Sequence, residues 1–275
     1  MQVFLVYYKV EMIVDLKNFQ AEIEKIYDRE MNNLGQIDID KIKEVEALFT
    51  KQKKDGLAEI ESAKNPLQFF NGIRKYATGR VTEVFASHNI LHGQFDMLDE
   101  EKYYSASWDF AGPVDTIGWK RAHNGLHHTY TNIATKDPDL AHGILRTTSD
   151  IPWHPFHLIQ SAYYFFCVYP IMLESFDDYS SGSIELHRRN ILKHGNEGYC
   201  ITSPSGKECS DEDFLERKEK QRHATEEWKE ENLFKLASSS SSYAKTLLGL
   251  RLAEVLANYE ISFTIQPTHQ AETKY

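Results

Sequence analysis

Two histidine clusters constrain this sequence more than any other feature. His88 and His92 form the first cluster, and His123, His127 and His128 form the second. Residues four apart lie on one face of an α-helix, so each cluster predicts a helix that offers two imidazoles to one ion. His128 adds a ring about 100° further round the second helix. The paired pattern favours a metal site over the alternative, in which these histidines are ordinary half-buried polar residues.

The residues beside the clusters narrow the chemistry. Imidazole binds zinc, copper, nickel and iron, so ligand type alone does not identify the metal. Zinc proteases carry a glutamate directly after the first histidine, whereas Asn89 and Asn124 stand there in this chain. Structural zinc sites use cysteine thiolates, but Cys167, Cys200 and Cys209 form no CxxC pair. What remains is a histidine-rich site with few charged ligands, which suits iron kept open for oxygen and indicates redox chemistry.

The two clusters and their flanks resemble the first two histidine boxes of the membrane-bound fatty acid desaturase family. The first box reads HNILHGQFD from His88, and the second reads HNGLHHTYTN from His123, followed by KDPD ending at Asp139. Trp119 precedes the second box, and GILR and WHP follow it, as in bacterial acyl-lipid or acyl-CoA desaturases. The resemblance covers about residues 65–175. The acids of KDPD could contact a polar headgroup or lie behind a metal ligand, but the composition of this segment favours a plain turn.

This resemblance implies two iron ions that use O₂ to desaturate a fatty acyl chain linked to CoA or to a lipid. Electrons would come from a separate carrier, such as a cytochrome b5 or a ferredoxin. The implied metal ligands are the clustered histidines and one histidine on a later helix: His88, His92, His123, His127, His128 and His269. Asp96, Asn89 and Asn124 are candidates for holding the ring nitrogens that face away from the metal.

Two features leave alternatives open. The family has a third box of the HxxHH kind, and none lies between His269 and Tyr275, so the sequence reads as truncated before that box. A catalytically incomplete protein that binds metal or docks to a partner is therefore an alternative to an active oxidoreductase. A related hydroxylase of lipids or alkyl chains is another, because histidine number does not distinguish oxygen insertion from hydrogen removal.

Few segments of this sequence are long and apolar enough to span a membrane. The family's catalytic domain is embedded by spanning helices of about 20 mainly apolar residues each, whereas this chain has a mean hydropathy of −0.52 and 26% charged residues. The serious candidate is the window from Ile151 to Leu173, which lacks Asp, Glu, Lys and Arg. Its three prolines make a monotopic or half-embedded helix at least as well supported as a full span. The stretch from Leu247 to Ile265 carries charges and reads as amphipathic.

Helical periodicity predicts a mainly α protein. The expected architecture is a histidine-box helical domain, either membrane-embedded or monotopic, preceded by amphipathic N-terminal helices. Leu16, Phe19, Ile23 and Ile26 recur at helical spacing, and a second such helix follows that Gly56 can end. The predicted organisation is an amphipathic region over 1–64, a desaturase-like core over 65–201, a charged and Ser-rich connector over 202–242, and a C-terminal helix over 243–275.

Charge and cysteine content bear on partners and location. The net charge of −10 opposes binding to phosphate backbones, so we expect no nucleic-acid partner. Three cysteines without a disulfide framework favour reducing surroundings. Together with the resemblance, this predicts a membrane location, with membrane lipid as a partner and the catalytic face on the cytoplasmic side. Neither a Gly-rich phosphate loop nor a nucleophile motif supports a kinase or hydrolase function.

Overall fold

The computed structural model describes residues 16–33, 35–98, 100–131, 133, 137, 139, 146, 153–175 and 211–269. In these residues the regular elements are helices, and no strand occurs among them. The predicted mainly α class is therefore confirmed. The chain divides into two compact units, Met1–Ile42 and Lys43–Tyr275.

Two amphipathic helices open the chain, as predicted. The first, α1, spans Leu16–Asn33, and the second, α2, spans Gln36–Ser62. The apolar stripe of α1 is not buried, because Phe19 and Ile23 are each about half exposed. The sequence pattern thus identified the helix and its apolar face, whereas a packing partner for that face is not among the described residues.

Gly56 lies inside α2, so the prediction that it ends this helix is wrong. The next helix, α3, spans Pro66–Leu91. A Cβ on Gly56 would stand 2.5 Å from the backbone nitrogen of Tyr76 in α3, and a Cβ on Gly72 would stand 2.7 Å from that of Ile60 in α2. The two glycines therefore let the backbones of α2 and α3 cross in direct contact, which any side chain would prevent.

The start of α3 follows from its sequence. Asn65 caps the helix, and its Oδ1 accepts a hydrogen bond of 3.0 Å from the backbone nitrogen of Gln68. Pro66 takes the first helical position, where its missing N–H leaves no intrahelical bond unmade. Asn65 and Pro66 thus start the helix that carries the first histidine cluster.

The last helix packs along α3 and completes the core. The remaining helices are α4 Thr116–Lys120, a π-helix Arg121–His127, α5 His128–Tyr130, α6 Gln160–Tyr163, a π-helix Tyr164–Val168, α7 Asp211–Lys229, a π-helix Glu230–Phe234, α8 Lys235–Ser238 and α9 Tyr243–His269. One apolar cluster joins α2, α3 and α9 around Ile60 and Leu250. A second joins α3, α4 and α9 around Leu91, Trp119 and Ile261, and it adjoins the histidines.

A buried ion-pair network ties α3 to α9. Arg80 of α3 is 1% exposed, and its Nε donates to Oε1 of Glu254 in α9 at 2.8 Å. Arg80 also pairs with Glu83, which accepts from Lys53 at 2.6 Å, and its guanidinium lies over the Trp228 ring. Burial by itself would lower the pKa of Arg80, but the two carboxylates raise it above its usual range. The arginine therefore stays charged inside the core.

The apolar window from Ile151 to Leu173 is not one continuous helix. Its described part, 153–173, is a succession of short 3₁₀, α and π stretches. Asn258 of α9 anchors the end of this segment, because its Oδ1 accepts from the Leu173 nitrogen at 3.2 Å and its Nδ2 donates to the Pro170 carbonyl at 3.1 Å. Over the part of the chain that the structure describes, no helix has both the length and the apolar character to cross a bilayer.

We expect Arg80→Met to lower the free energy of unfolding by about 3–5 kcal/mol, because it leaves Glu254 buried without its counter-charge. Urea denaturation followed by circular dichroism measures this change. Arg222→Met is the matched control, since Arg222 lies on the surface of α7 and pairs with Glu219 and Glu226 in water. Its removal should change the unfolding midpoint little. Equal losses of unfolding free energy in the two variants would contradict the inference that the buried network stabilises the fold.

Candidate metal centre

Five imidazole rings meet between the end of α3 and the π-helix that follows α4. Neighbouring ring centroids lie 4.4 to 5.1 Å apart. The rings are those of the two sequence clusters: His88, His92, His123, His127 and His128. The structure thus brings both clusters together, and the role of each histidine as a metal ligand stays a prediction.

The first cluster sits where α3 ends. His92 caps the helix, and Gly93 follows it with φ of +77°, a conformation that glycine adopts without strain. The Gly93 nitrogen donates back to the Ile90 carbonyl at 2.9 Å. Asn124 of the second cluster donates from Nδ2 to the Leu91 carbonyl, also at 2.9 Å. This bond fixes the second box against the last turn of the helix that carries the first box.

His123 and His127 lie on a π-helix and His128 begins α5, whereas the sequence spacing predicted one ordinary α-helix for the second cluster. The His128 nitrogen donates to the His123 carbonyl, five residues earlier. Such widened turns occur frequently at functional sites. His123 and His127 stack with 5.0 Å between ring centroids, and Trp119 stacks on His123 at 4.5 Å. Sequence periodicity cannot report this widening, because the hydrogen-bond register changes within one short segment.

Three Nε2 atoms converge on one place. Nε2 of His88 lies 3.0 Å from Nε2 of His123 and 3.2 Å from Nε2 of His92. Two nitrogens bound to one ion at about 2.0–2.1 Å, at tetrahedral or octahedral angles, are about 2.8–3.4 Å apart. Both of these separations match that of two ligands on a common ion, and all three ligand atoms lie within 4.8 Å of one another.

Two carboxylates lie at the opposite nitrogens of the second cluster. Nδ1 of His123 is 2.9 Å from Oδ2 of Asp139, and Nδ1 of His127 is 2.9 Å from Oδ1 of Asp137. Asp137 is fully buried and also accepts from the Asp139 nitrogen at 2.9 Å. Burial by itself would lower the pKa of His127, but the Asp137 hydrogen bond and the Asp139 charge raise it above its usual value. Asp137 and Asp139 thus belong to the site.

The donor set fits a divalent metal. One candidate group is His88, His92 and His123, and a second is His123, His127 and Asp139, each with its ligand atoms within 4.8 Å of one another. Imidazoles with few carboxylates suit iron, zinc and copper. In addition, Oδ1 of Asn124 is buried without a hydrogen-bond partner among the described residues, so it is available as an acceptor.

The other predicted residues have different surroundings. His269 is the last residue of α9, four positions after Ile265, which packs against the core beside the site. Its side chain lies outside the described part, so its predicted role stays open. Asp96 accepts hydrogen bonds from the backbone and hydroxyl of Ser105. Oδ1 of Asn89 lies 3.4 Å from Nδ1 of His88, which is long for a hydrogen bond.

Comparison with known proteins agrees with the histidine boxes. An NADPH-dependent stearoyl-CoA 9-desaturase of Mycobacterium tuberculosis is 26% identical over 145 residues, which cover 52% of this chain and 34% of that protein. An sn-1 linoleoyl-lipid 6-desaturase of Arthrospira platensis is 34% identical over 88 residues, 31% of this chain and 23% of that protein. No protein-family model matches the chain, and no solved structure matches it.

The fold and the site define an all-α protein with clustered imidazoles suited to a divalent metal. The resemblance to fatty acid desaturases, which are oxidoreductases of lipid metabolism, is confirmed by these relatives. The chain spans about a third or less of the length of the relatives that it matches. The similarity supports a desaturase-like function.

We expect His127→Ala to weaken metal binding by at least about tenfold, since losing a ligand should exceed the effect of losing an outer partner of a ligand. Anaerobic titration with Fe²⁺ or Co²⁺ measures the affinity and the stoichiometry. His223→Ala is the control, because His223 is exposed on α7 beside Glu219. Similar losses in both variants would count against the site.

Proposed function

We propose that this chain is a fatty acyl desaturase that holds two iron ions among its clustered histidines and uses O₂ to remove hydrogen from an acyl chain. The observation that carries the proposal is the convergence of three Nε2 atoms, those of His88, His92 and His123, in a chain similar to two desaturases. One relative is named for a stearoyl-CoA substrate and the other for a linoleoyl-lipid. The proposed substrate is therefore an acyl chain linked to CoA or to a lipid.

The five imidazoles can be divided between two ions, because each Nε2 serves one ion. His88, His92 and His123 are proposed to hold the first ion. His127 and His128 are proposed to hold the second, and His269 is a further candidate ligand by resemblance. Iron, when bound, supplies the oxidising power toward an unactivated methylene that protein side chains lack.

The protein's own residues hold the ligands and limit the access of water. His123 and His127 are 5% and 3% exposed. Trp119 covers one of these rings, and the apolar cluster around Leu91 and Ile261 adjoins it. A hydrophobic shell of this kind controls solvent access and the local dielectric, and thereby the redox properties of a bound metal. Buried ligands also stay in fixed positions, which a two-ion site requires.

We propose that an aromatic patch contacts membrane lipid. The patch comprises neighbouring side chains from the 153–173 segment and α9: Phe165, Phe166, Tyr169, Tyr259 and Phe263. Phe166 is 71% exposed and Phe263 is 57% exposed. The Tyr259 hydroxyl donates to the Phe165 carbonyl at 2.8 Å and joins the two elements. Contiguous exposed apolar surface of this kind marks a membrane or protein contact. The proposed location is a membrane surface, with the metal site facing the cytoplasm.

The double substitution Phe166→Glu with Phe263→Glu should reduce binding to phosphatidylcholine vesicles at least about tenfold, since burying each phenylalanine contributes about 1.5–3 kcal/mol. Vesicle flotation of the full chain measures the bound fraction. Leu215→Glu is the control, because Leu215 is an equally exposed apolar residue on the charged helix α7. If the double variant floats with the vesicles as well as the unchanged chain does, the aromatic patch does not contact lipid.

The activity test combines metal analysis with product analysis. The full chain, loaded anaerobically with Fe²⁺, is supplied with O₂, an acyl-CoA or an acyl lipid, and either a ferredoxin or a cytochrome b5 system as the separate electron carrier. We expect about two irons per chain, as the resemblance implies, and an acyl product lacking two hydrogens, detected by mass spectrometry. The double variant His88→Ala with His92→Ala should lose both iron and product.

The alternatives predict different results in the same experiment. A hydroxylated acyl product would assign the chain to the related hydroxylases. Sub-stoichiometric iron without turnover would favour a catalytically incomplete, metal-binding or partner-docking protein. His223→Ala serves again as the control that should resemble the unchanged chain.

A further inference from the structure

We infer that Asp137 and Asp139 act as positioning residues that fix which nitrogen of His127 and His123 faces the metal. We call this pair the carboxylate clamp. The inference rests on the proposed metal site and assigns to it two residues that belong to neither histidine box. It concerns the orientation and protonation of the rings, and the two acids need not touch the metal.

Hydrogen-bond chemistry determines the tautomer. An ionised carboxylate only accepts hydrogen bonds, so the ring nitrogen 2.9 Å from it must carry the hydrogen. In neutral His123 and His127 that hydrogen is on Nδ1. The Nε2 lone pair of each ring is then free of a proton and available to a metal. For His123, this Nε2 is the atom that lies 3.0 Å from Nε2 of His88.

The clamp is itself held rigidly. Asp137 is fully buried, and its Oδ1 accepts both from Nδ1 of His127 and from the Asp139 backbone. Oδ2 of Asp139 lies 2.9 Å from Nδ1 of His123 and 3.6 Å from Nδ1 of His127. Asp139 therefore acts on both stacked rings, and Asp137 acts on His127. A carboxylate behind a ligating imidazole also makes it a more basic and stronger donor.

The competing arrangement makes Asp139 a direct ligand. Its oxygen and the nearby ring nitrogens are close enough to share an ion. In that case His123 would bind the ion through Nδ1, and its Nε2 would not coordinate the same ion. The observed approach of His123 Nε2 to His88 Nε2 favours the outer position of the carboxylate. The two arrangements differ in the number of ions bound after Asp139 is neutralised.

Asparagine at either position tests the clamp, because its amide keeps the shape of aspartate but can donate to Nδ1 and so favour the wrong tautomer. We would prepare Asp137→Asn and Asp139→Asn in the full chain. Imidazole ¹⁵N NMR of the metal-free protein at alkaline pH reports which nitrogen carries the hydrogen. Co²⁺ titration, followed by visible absorption and by competition with a chelator, reports affinity and stoichiometry. Asp96→Asn is the control, since Asp96 accepts hydrogen bonds from Ser105 and has no such bond to a clustered histidine among the described residues.

We expect the unchanged chain and Asp96→Asn to show His123 and His127 protonated on Nδ1. Each clamp variant should move its partner ring toward the Nε2-protonated form and weaken Co²⁺ binding about 10–100-fold at unchanged stoichiometry. Unaltered tautomers and affinity would overturn the inference, and a loss of one Co²⁺ per chain in Asp139→Asn would make that acid a direct ligand instead. Should Asp137→Asn fail to fold, the less enclosed Asp139→Asn decides the question. Absence of Co²⁺ binding in the unchanged chain would refute the proposed site itself, whereas the NMR result would still decide the hydrogen-bond assignment.

Discussion

The packing of α9 on α3 is the interaction on which the rest of this structure depends. Arg80 of α3 is enclosed by protein, and a buried guanidinium is stable only if its counter-charges are enclosed with it. Glu254 of α9 supplies one of them, which specifies the register between the two helices. Two turns further along α9, Ile261 reaches the apolar cluster beside Leu91, where α3 ends and the histidines begin. The position of the site therefore follows from a charge pair remote from it.

Beyond the end of α3 at Leu91, each imidazole of the site has two ring nitrogens that need partners. In the second cluster the Nδ1 atoms of His123 and His127 meet carboxylates. The Nε2 atom of His123 then faces Nε2 of His88 at 3.0 Å. This separation suits either a hydrogen bond between the two rings or two nitrogen ligands on one cation. The partners of the ring nitrogens thus connect the histidine spacing in the sequence with the candidate metal site.

The sequence predicted what depends on local periodicity and residue type. The helical spacing of His88 and His92 and the helical N-terminal region are both predicted correctly from short windows. Three features depend on contacts between distant segments and were not predicted. Gly56 resembles a helix end but serves a close crossing, the second box widens into a π-helix, and Asp137 is buried beside His127. Nothing in a local pattern distinguishes these uses from a plain turn or an ordinary helix.

The proposed function explains why α9 has apolar residues on more than one side, which the prediction of an amphipathic helix does not explain. Tyr259 and Phe263 are four apart and belong to the aromatic patch, while Ile261 and Ile265 are four apart and belong to the core beside the histidines. One helix thus presents aromatic surface on one side and the wall of the metal site on the other. An acyl chain is apolar along its length, so the transfer from a lipid surface to this site would need to cross only the width of one helix, about 10 Å. The even distribution of apolar residues around α9 is the property that such a position between lipid and metal requires.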